Sequence, residues 1–241
     1  MARDVARTSM ARVANWLFVA SLPLVFLTGT ICCALNSTRM YEYGFDKYHV
    51  SEVTGIDRAQ LTLVAGRLVD YFNSRVESPQ MAVLVDGKQS ALFHDYELVH
   101  LEDVKRLFRV DYAVFAACLA YAVVYALLFL LWKRGPRRAL LRAISRGCLI
   151  TLGLLAVAGL SGLVAFDWLF VQFHLISFDN PYWMLDPSTD YLIMLFPGGF
   201  WEDAVLLSGL AVAGEAALLW GVARALQRAP GVERRLGAGT G

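Results

Sequence analysis

Four long apolar runs dominate the pattern of hydrophobic and polar positions along this chain of 241 residues. They cover residues 13–35, 112–132, 148–166 and 204–223, and only Asp167 keeps the third from continuing to residue 173. A helix rises about 1.5 Å per residue, so each run is long enough to cross the hydrocarbon core of a bilayer. The pattern therefore predicts four membrane-spanning helices.

Between the first two runs, residues 36–110 show the mixed pattern of a small α+β domain. Asp57 and Gln60 resemble a helix-opening capping pair, and apolar residues then recur at helical spacing. A β-hairpin is predicted next, because Asp86-Gly87 is a strong turn signal between two short apolar runs. The helix is expected at residues 57–73 and the strands at 81–85 and 91–93.

Two further segments are predicted to lie at the membrane surface. Residues 96–109 form an amphipathic helical pattern with basic residues off the apolar stripe, which is typical of an interfacial helix. Residues 174–202 are too apolar for an exposed loop and too broken for a fifth span, which favours a re-entrant or interfacial loop. Within this loop, Asp186-Pro187 and Asp190 predict a turn that opens a short helix.

Composition and charge agree with a membrane protein and orient it. Hydrophobic residues make up 57% of the chain and charged residues 18%. Basic residues precede the first span, fill the loop between the second and third, and follow the fourth, whereas residues 167–202 contain none. The positive-inside rule therefore predicts cytoplasmic ends and an outward-facing location for residues 36–110 and 167–202. Glu215 in the fourth span is costly in lipid and is expected to face another helix.

The predicted fold is a mainly α membrane protein with four transmembrane helices. A small α+β extracytoplasmic domain lies between spans 1 and 2, and the re-entrant or interfacial loop lies between spans 3 and 4. The predicted boundaries are 1–35 for the cytoplasmic N-terminus and span 1, 36–110 for the α+β domain with its interfacial helix, 111–132 for span 2, 133–147 for the basic cytoplasmic loop, 148–173 for span 3, 174–202 for the outer loop, 203–223 for span 4 and 224–241 for the cytoplasmic tail.

Histidine is scarce, and all four histidines fall in the predicted outer segments. His100 lies three residues from both Glu97 and Asp103, so either carboxylate can reach its ring on a helix and fix its tautomer. His174 follows the third span, with Asp167 seven residues earlier on the same helical face. The alternatives are an exposed histidine in a solvated charge cluster and a histidine at the membrane interface. Both histidines are expected in the outer headgroup layer, where lipid ester bonds are found.

Several catalytic motifs are missing from the sequence. There is no GxSxG elbow, HExxH motif, P-loop or GxGxxG, and the four cysteines lie in apolar runs without a CxxC pair. A hydrolase that uses its own serine or cysteine is therefore disfavoured. The sequence predicts no metal site and no cofactor.

The residues after the third span resemble those of a known family. The motif comprises Phe173-His174, Phe178, Trp183, Asp186-Pro187, Asp190, Leu192-Ile193, Phe196-Pro197 and Phe200. The segment from Glu97 to Lys105, and Tyr71-Phe72 before it, resemble the other signatures of that family. It is the family of four-span bacterial membrane proteins that includes the lipoprotein intramolecular transacylase, Lit. One departure is Gly198-Gly199, where an acidic residue is expected in relatives.

The resemblance implies an acyltransferase of the bacterial cytoplasmic membrane. It would move the sn-2 acyl chain of a diacylglyceryl lipoprotein to the N-terminal cysteine amine, giving an N-acyl, S-monoacylglyceryl product. The family's histidines map to His100 and His174, which are the expected catalytic residues. The expected supporting residues are Glu97, Asp103, Asp167, Asn180, Trp183, Asp186 and Asp190. The expected partners are a diacylated lipoprotein and membrane phospholipid, with no nucleic acid, and the protein is expected to be a monomer.

This chemistry agrees with the motifs that are missing, because the substrate amine is its own nucleophile. The hypothesis assigns His100, oriented by Asp103, as the base and His174 as the donor to the oxyanion or the leaving oxygen. The two roles are interchangeable, and one histidine could instead attack first and form an acyl-imidazole. Two other classes remain open: a membrane haem protein with His100 and His174 as axial ligands, and a non-catalytic sensor or partner subunit that binds through residues 36–110.

Overall fold

The structure is a computed structural model that describes residues 2–131 and 137–229. Predictions that fall on residues 132–136 and 230–241 lie outside the described residues. The elements are, in chain order, α1 (Ala2–Leu35), α2 (Thr38–Lys47), α3 (Val50–Thr54), α4 (Arg58–Asn73), β1 (Ala82–Val85), β2 (Lys88–Ala91), α5 (Asp95–Leu131), α6 (Arg137–Ser177), α7 (Tyr191–Leu195) and α8 (Gly198–Arg228).

Four of these helices are long and apolar enough to cross a membrane. They are Ser9–Leu35 within α1, and the whole of α5, α6 and α8. Each contains one of the predicted apolar runs, the second of them up to residue 131, so the prediction of a multi-pass membrane protein with four apolar helices is confirmed. Their outward apolar faces are typical of helices in lipid: Leu163 and Val164 of α6 expose 84% and 88% of their surface.

Helices α5 and α6 extend further than the sequence analysis predicted. The separate interfacial helix at 96–109 is wrong, because α5 continues without a break from Asp95 to Leu131. The predicted loop at 133–147 is also wrong from residue 137 onward, because α6 begins at Arg137. Residues 96–109 contain no proline or glycine that would end the helix, and the single glycine of residues 137–147, Gly147, lies inside α6. The backbone of α6 departs from helical geometry once, at Ala165.

Residues 36–94 form the predicted α+β segment, with differences in detail. Asp57 caps α4 by accepting a hydrogen bond from the Ala59 amide, but Gln60 bonds to the Leu84 backbone instead of completing a capping box. Asp86 and Gly87 form the predicted turn, both with positive φ. A two-residue turn pairs Val85 with Lys88, so β2 lies at 88–91 rather than 91–93. Helices α2 and α3 were not predicted.

The chain divides into two compact units. The histidine unit comprises Thr28–Ala113 and Ala158–Leu210, and it contains all four histidines. Its core is made of large buried side chains, among them Phe45, Leu61 and Tyr71. Phe196 joins this core with its ring centroid 5.6 Å from Tyr41 and 5.9 Å from Phe45. The unit therefore has a hydrophobic core like that of a soluble domain.

The basic unit comprises the described parts of Met1–Leu27, Val114–Val157 and Ala211–Gly241. Its buried hydrophobic cluster is small and includes Phe18, Val19, Leu22, Ala122, Leu140 and Ala143. Gly147 allows a close approach here, because a Cβ atom at this position would lie 2.5 Å from Leu22 Cδ1. Glu215 of this unit is exposed, whereas the sequence analysis expected it to be covered by another helix.

Candidate active site

The structure brings His100 and His174 together. His100 lies near the start of α5 and His174 near the end of α6, and their ring centroids are 6.1 Å apart. Their exposed fractions are only 7% and 8%. Two imidazolium charges at this separation would repel each other, so the geometry favours at most one proton charge on the pair.

Aromatic side chains enclose the two imidazoles. Phe178 meets His100 edge-on at 4.8 Å, and Trp183 lies 4.9 Å from the His174 ring. Phe170, one turn before His174 on α6, lies 4.2 Å from the same ring. These rings exclude water and fix the imidazole orientations, so proton transfer would take place in a medium of low polarity.

The tautomer of His174 is set by its own helix. Its Nδ1 lies 2.7 Å from the backbone oxygen of Phe170. A carbonyl oxygen can only accept, so Nδ1 carries the proton and donates it to Phe170. In the neutral ring the lone pair is therefore on Nε2, which makes that atom of His174 the basic nitrogen of the pair.

His100 presents the opposite arrangement. Its Nδ1 is buried and has no hydrogen-bond partner among the residues that the structure describes. A buried N–H without a partner is less common than a buried acceptor without one, so the geometry favours the proton on Nε2. His100 is then a hydrogen-bond donor through Nε2 while His174 is an acceptor through its own Nε2.

Asp103 does not orient His100 as the sequence analysis expected. Its Oδ2 accepts a hydrogen bond of 2.7 Å from the side chain of Asn180, and its Oδ1 lies 3.0 Å from Nη2 of Arg106. Asp103 therefore ties the loop after α6 to the helix that carries His100. A cavity of about 230 Å³ opens beside this contact, with Val99 and Phe178 among its walls.

Glu97 is the most completely buried charged group of the site, with an exposed fraction of 0%. Its Oε2 accepts a 2.7 Å bond from the His94 amide at the start of α5, and its Oε1 accepts a 2.7 Å bond from the Leu192 amide in the first turn of α7. Burial of a carboxylate requires such partners, because an unpaired one is very costly. Glu97 thus joins the helix of His100 to the loop that encloses His174.

Asp190, which precedes α7, forms a second connection. It accepts hydrogen bonds from the Tyr96 hydroxyl, the Asp186 amide and the Thr189 hydroxyl. Burial opposes its ionisation, but these bonds outweigh burial and hold the pKa of Asp190 below its ordinary value. Asp186 itself caps the preceding turn by accepting from the amide of Ser188. The predicted turn and short helix are therefore present.

His94, Glu97 and Asp190 offer ligand atoms within 4.8 Å of one another, a spacing compatible with a metal ion. His94 Nδ1 lies 3.0 Å from Glu97 Oε2 and 3.6 Å from Asp190 Oδ1. Both oxygens of each carboxylate, however, already accept hydrogen bonds within the protein. The donor set therefore fits a closed polar network better than it fits a metal.

The expected supporting residues divide into two groups. Asn180, Trp183, Glu97, Asp103, Asp186 and Asp190 lie at the site or in its polar network. Asp167 is exposed and makes no described contact with His174. The sequence analysis assigned no role to His94, Tyr96 or Arg106. In the sequence, only their proximity to Glu97 and Asp103 indicated that these three residues could belong to the site.

Four membrane helices and a buried pair of histidines of complementary tautomer define the class: an integral membrane protein with a site suited to proton transfer. The description of the matching family is "Lipoprotein intramolecular transacylase Lit", and the match covers residues 16–201. The chain therefore belongs to the Lit family of lipoprotein intramolecular transacylases. No curated protein matches the sequence.

Solved structures have the same fold. The membrane integral lipoprotein intramolecular transacylase Lit from Bacillus cereus superposes with a TM-score of 0.77 at 19% sequence identity, over 95% of this chain and 99% of that one. Its histidine-to-arginine variant gives 0.75 at 18% identity, over 98% of this chain and 99% of that one. At this identity the likeness establishes the fold.

Proposed function

We propose that the protein catalyses intramolecular acyl transfer on bacterial lipoproteins. The sn-2 acyl chain of the diacylglyceryl group moves to the N-terminal cysteine amine, and the product is an N-acyl, S-monoacylglyceryl lipoprotein. The observation that carries the proposal is the buried pair of His100 and His174, 6.1 Å apart, with one ring suited to accept a proton and the other to donate a hydrogen bond. Family membership supports the reaction class.

His174 is the better candidate for the base. The α-amine of the substrate has a pKa of about 7.7–8.0, so part of it is neutral near neutral pH. As the neutral amine nitrogen attacks the carbonyl carbon of the ester, the lone pair on Nε2 of His174 takes one of its two protons. This assignment exchanges the two roles that the sequence suggested. The Phe170 carbonyl fixes the tautomer of His174, and Asp103 accepts a hydrogen bond from Asn180 instead of orienting His100.

His100 then acts on the tetrahedral intermediate. Its Nε2–H donates to the developing oxyanion in a water-poor site, where such a bond is strongest. The bond from the carbonyl carbon to the glycerol oxygen breaks, and that oxygen takes the proton from His174. The products are an amide and a free sn-2 hydroxyl, and the imidazoles return to their starting state. No serine or cysteine nucleophile is needed.

An acyl-imidazole route uses the same residues. Nε2 of His174 would attack the ester carbon, the bond to the glycerol oxygen would break, and that oxygen would take a proton from the substrate ammonium. The neutral amine would then attack the acyl-imidazole, and the released Nε2 of His174 would take the proton that the amine nitrogen loses. Hydroxylamine distinguishes the routes, because it intercepts an acyl-imidazole but not a direct transfer. Release of acyl hydroxamate by the wild type, and not by the His174→Ala variant, would favour the two-step route.

The distribution of basic residues supports the orientation. Arginines recur at the start of α1, at the start of α6 and at the end of α8, whereas residues 167–202 contain no arginine or lysine. By the positive-inside rule, these ends and both termini lie in the cytoplasm, and the segments 36–110 and 167–202 face outward. The site would therefore lie at the outer surface of the cytoplasmic membrane, where lipoproteins are found. We propose that the protein acts there as a monomer.

The test replaces each histidine separately in cells that lack other lipoprotein N-acyltransferases. His100→Ala and His174→Ala are each expected to lower N-acylation by about 10²–10⁴-fold, the usual contribution of a positioned acid or base. Mass spectrometry of a reporter lipoprotein measures the ratio of N-acyl product to free amine. His49→Ala is the matched control, because His49 is exposed and outside the site.

The outcome is decisive if the variants reach the membrane at wild-type levels. Full N-acylation by either His100→Ala or His174→Ala would contradict the assignment. A loss of activity in His49→Ala equal to that in the other two variants would also contradict it, since the effect would then be general to histidine replacement.

A further inference from the structure

A second cavity lies within the basic unit, between the start of α6 and the end of α8. It has a volume of about 220 Å³ and no residue in common with the histidine site. Its lining residues are Arg142, Ser145, Arg146, Leu149, Trp220, Arg224 and Gln227. The acyl-transfer mechanism uses none of them.

The cavity is strongly basic, because Arg142, Arg146 and Arg224 line it. Among the described side chains, those of residues 9–131 and 137–229, the ion pairs of arginine and lysine involve only Lys47, Arg58 and Arg106. Three guanidinium groups around one concave space favour an anion, and a phosphate matches the planar fork of arginine.

The walls of the cavity are held in place by polar and aromatic contacts. The side-chain amide of Gln227 on α8 donates to the Leu141 carbonyl and, at 2.9 Å, to the Ser145 hydroxyl on α6. The guanidinium of Arg224 lies 5.9 Å from the centre of the Trp220 ring, within the range of a cation–π contact. The two helices therefore present a formed concave surface rather than independent exposed arginines.

Polarity changes along the cavity in the direction of the helix axes. On α6, the lining residues run from Arg142 through Arg146 to Leu149, away from the helix start. On α8, they run from Gln227 through Arg224 to Trp220, away from the helix end. The charged part therefore lies at the helix ends and the apolar part lies toward the middle of both spans.

This gradient matches one class of ligand. A phospholipid places its phosphate at the ends of transmembrane helices and its acyl chains along their apolar faces. Beyond the cavity, Gly153 of α6 and Ala217 of α8 are exposed and apolar and lie on the same helix faces as Leu149 and Trp220, so acyl chains can continue along them. A free phosphate would use the arginines but not the apolar part, and basic clefts between spans are known to take anionic headgroups.

We propose that this cavity binds the headgroup phosphate of an anionic phospholipid, with Arg142, Arg146 and Arg224 around the phosphate and Leu149 and Trp220 against the first methylene groups. The ligand class is a phosphodiester lipid without a compensating amine, such as phosphatidylglycerol. The site is separate from acyl transfer, so its test does not depend on activity.

The test measures lipid binding to the full chain by native mass spectrometry in detergent. Dioleoylphosphatidylglycerol, dioleoylphosphatidylcholine and inorganic phosphate are added separately at equal concentrations. The wild type is expected to retain one phosphatidylglycerol molecule and to bind the other two at least about fivefold more weakly, because near the membrane surface one cationic side chain contributes about that factor. The variant R142Q/R146Q/R224Q should lose about 100-fold in affinity for phosphatidylglycerol.

The matched control is R137Q/R138Q/R228Q, which removes the same charge from described arginines outside the cavity lining. It is expected to bind phosphatidylglycerol like the wild type. Equal losses in both triple variants would overturn the proposal, because general surface charge would then explain the binding. Equal binding of phosphatidylcholine, or binding of inorganic phosphate as tight as that of the lipid, would also overturn it.

A charge-preserving variant covers the case in which the glutamine triple fails to fold. R142K/R146K/R224K keeps three positive charges but loses the planar fork of the guanidinium. It should keep the preference for phosphatidylglycerol over phosphatidylcholine with an affinity between those of the wild type and the glutamine triple. Loss of that preference in a folded lysine triple would contradict an electrostatic phosphate site.

Discussion

The histidine unit and the basic unit are stabilised in different ways, although the same long helices contribute to both. The histidine unit buries large aromatic and aliphatic side chains in a continuous core. The basic unit buries a small cluster, and most of its apolar side chains are exposed at the surface of the chain. In lipid, an exposed leucine has the same surroundings whether the helices associate or not, so close packing must hold such helices together.

Polar groups follow the same division. The histidine unit buries Glu97, His100, His174 and Asp190, and hydrogen bonds satisfy the two carboxylates. In the basic unit, the arginines whose side chains the structure describes are exposed near the helix ends. A well-packed core can offset the cost of burying polar groups. Such a core also provides the water-poor surroundings in which a proton-transfer site works best.

The largest expected effect comes from truncating the same residue type in each unit. Leu61→Ala in the histidine unit removes a fully buried side chain and should lower the free energy of unfolding by about 2–5 kcal/mol. Leu154→Ala, on an exposed face of α6, should change it by less than about 0.5 kcal/mol. Titration with SDS in mixed micelles measures both, and equal effects would show that the two units do not differ in packing.

A smaller effect is expected from Glu97→Gln, which preserves shape but replaces one acceptor oxygen by a donor. The His94 and Leu192 amides both need an acceptor, so one would face an NH₂ group. The free energy of unfolding should fall by about 1–3 kcal/mol. Glu102→Gln, on the exposed side of α5, is the control and should be nearly neutral. A neutral result for Glu97→Gln would show that its two hydrogen bonds carry little stability.

The smallest expected effect tests packing within the basic unit through two glycines of α6. Gly147→Ala places a methyl group 2.5 Å from Leu22 Cδ1 and 3.1 Å from the Val19 backbone oxygen, and should destabilise by about 1–2 kcal/mol. Gly153→Ala has open space around the new Cβ and should be neutral or stabilising, since alanine favours helix. The same SDS titration compares them. Equal behaviour of the two variants would contradict a close α1–α6 contact at Gly147.

The spans, the helix at 58–73 and the hairpin turn could be predicted because each depends on a local pattern. Helix α2 was missed because its aromatic residues Tyr41 and Phe45 pack against Phe196, which is distant in sequence. Helix α3 has only five residues and packs against α7, which is equally distant in sequence. The continuity of α5 does not follow from the sequence, because the pattern changes from amphipathic in residues 96–109 to apolar from residue 112 onward, and such a change resembles the end of a helix. Such a change reports a new environment, not a break in backbone hydrogen bonding.

The two histidines were found from the sequence, but the partners of the site were not. Spacing of three residues brings Asp103 near His100 on a helix, yet it does not decide where the carboxylate points. The side-chain amide of Asn180, 77 residues away, donates a hydrogen bond to Oδ2 of Asp103 instead. The bond from His174 to the Phe170 carbonyl is local, but nothing in the sequence distinguishes it from a side chain turned the other way.

The two hydrogen bonds of Glu97 have a consequence for how this family can diverge. Glu97 contacts the main-chain amides of residues 94 and 192, and every amino acid except proline supplies such an amide. The loop around the histidines can therefore exchange most of its side chains over evolutionary time without losing its anchor. At this anchor, mutational drift is constrained at one carboxylate and at the course of the backbone, so the contact can persist after most sequence similarity has disappeared.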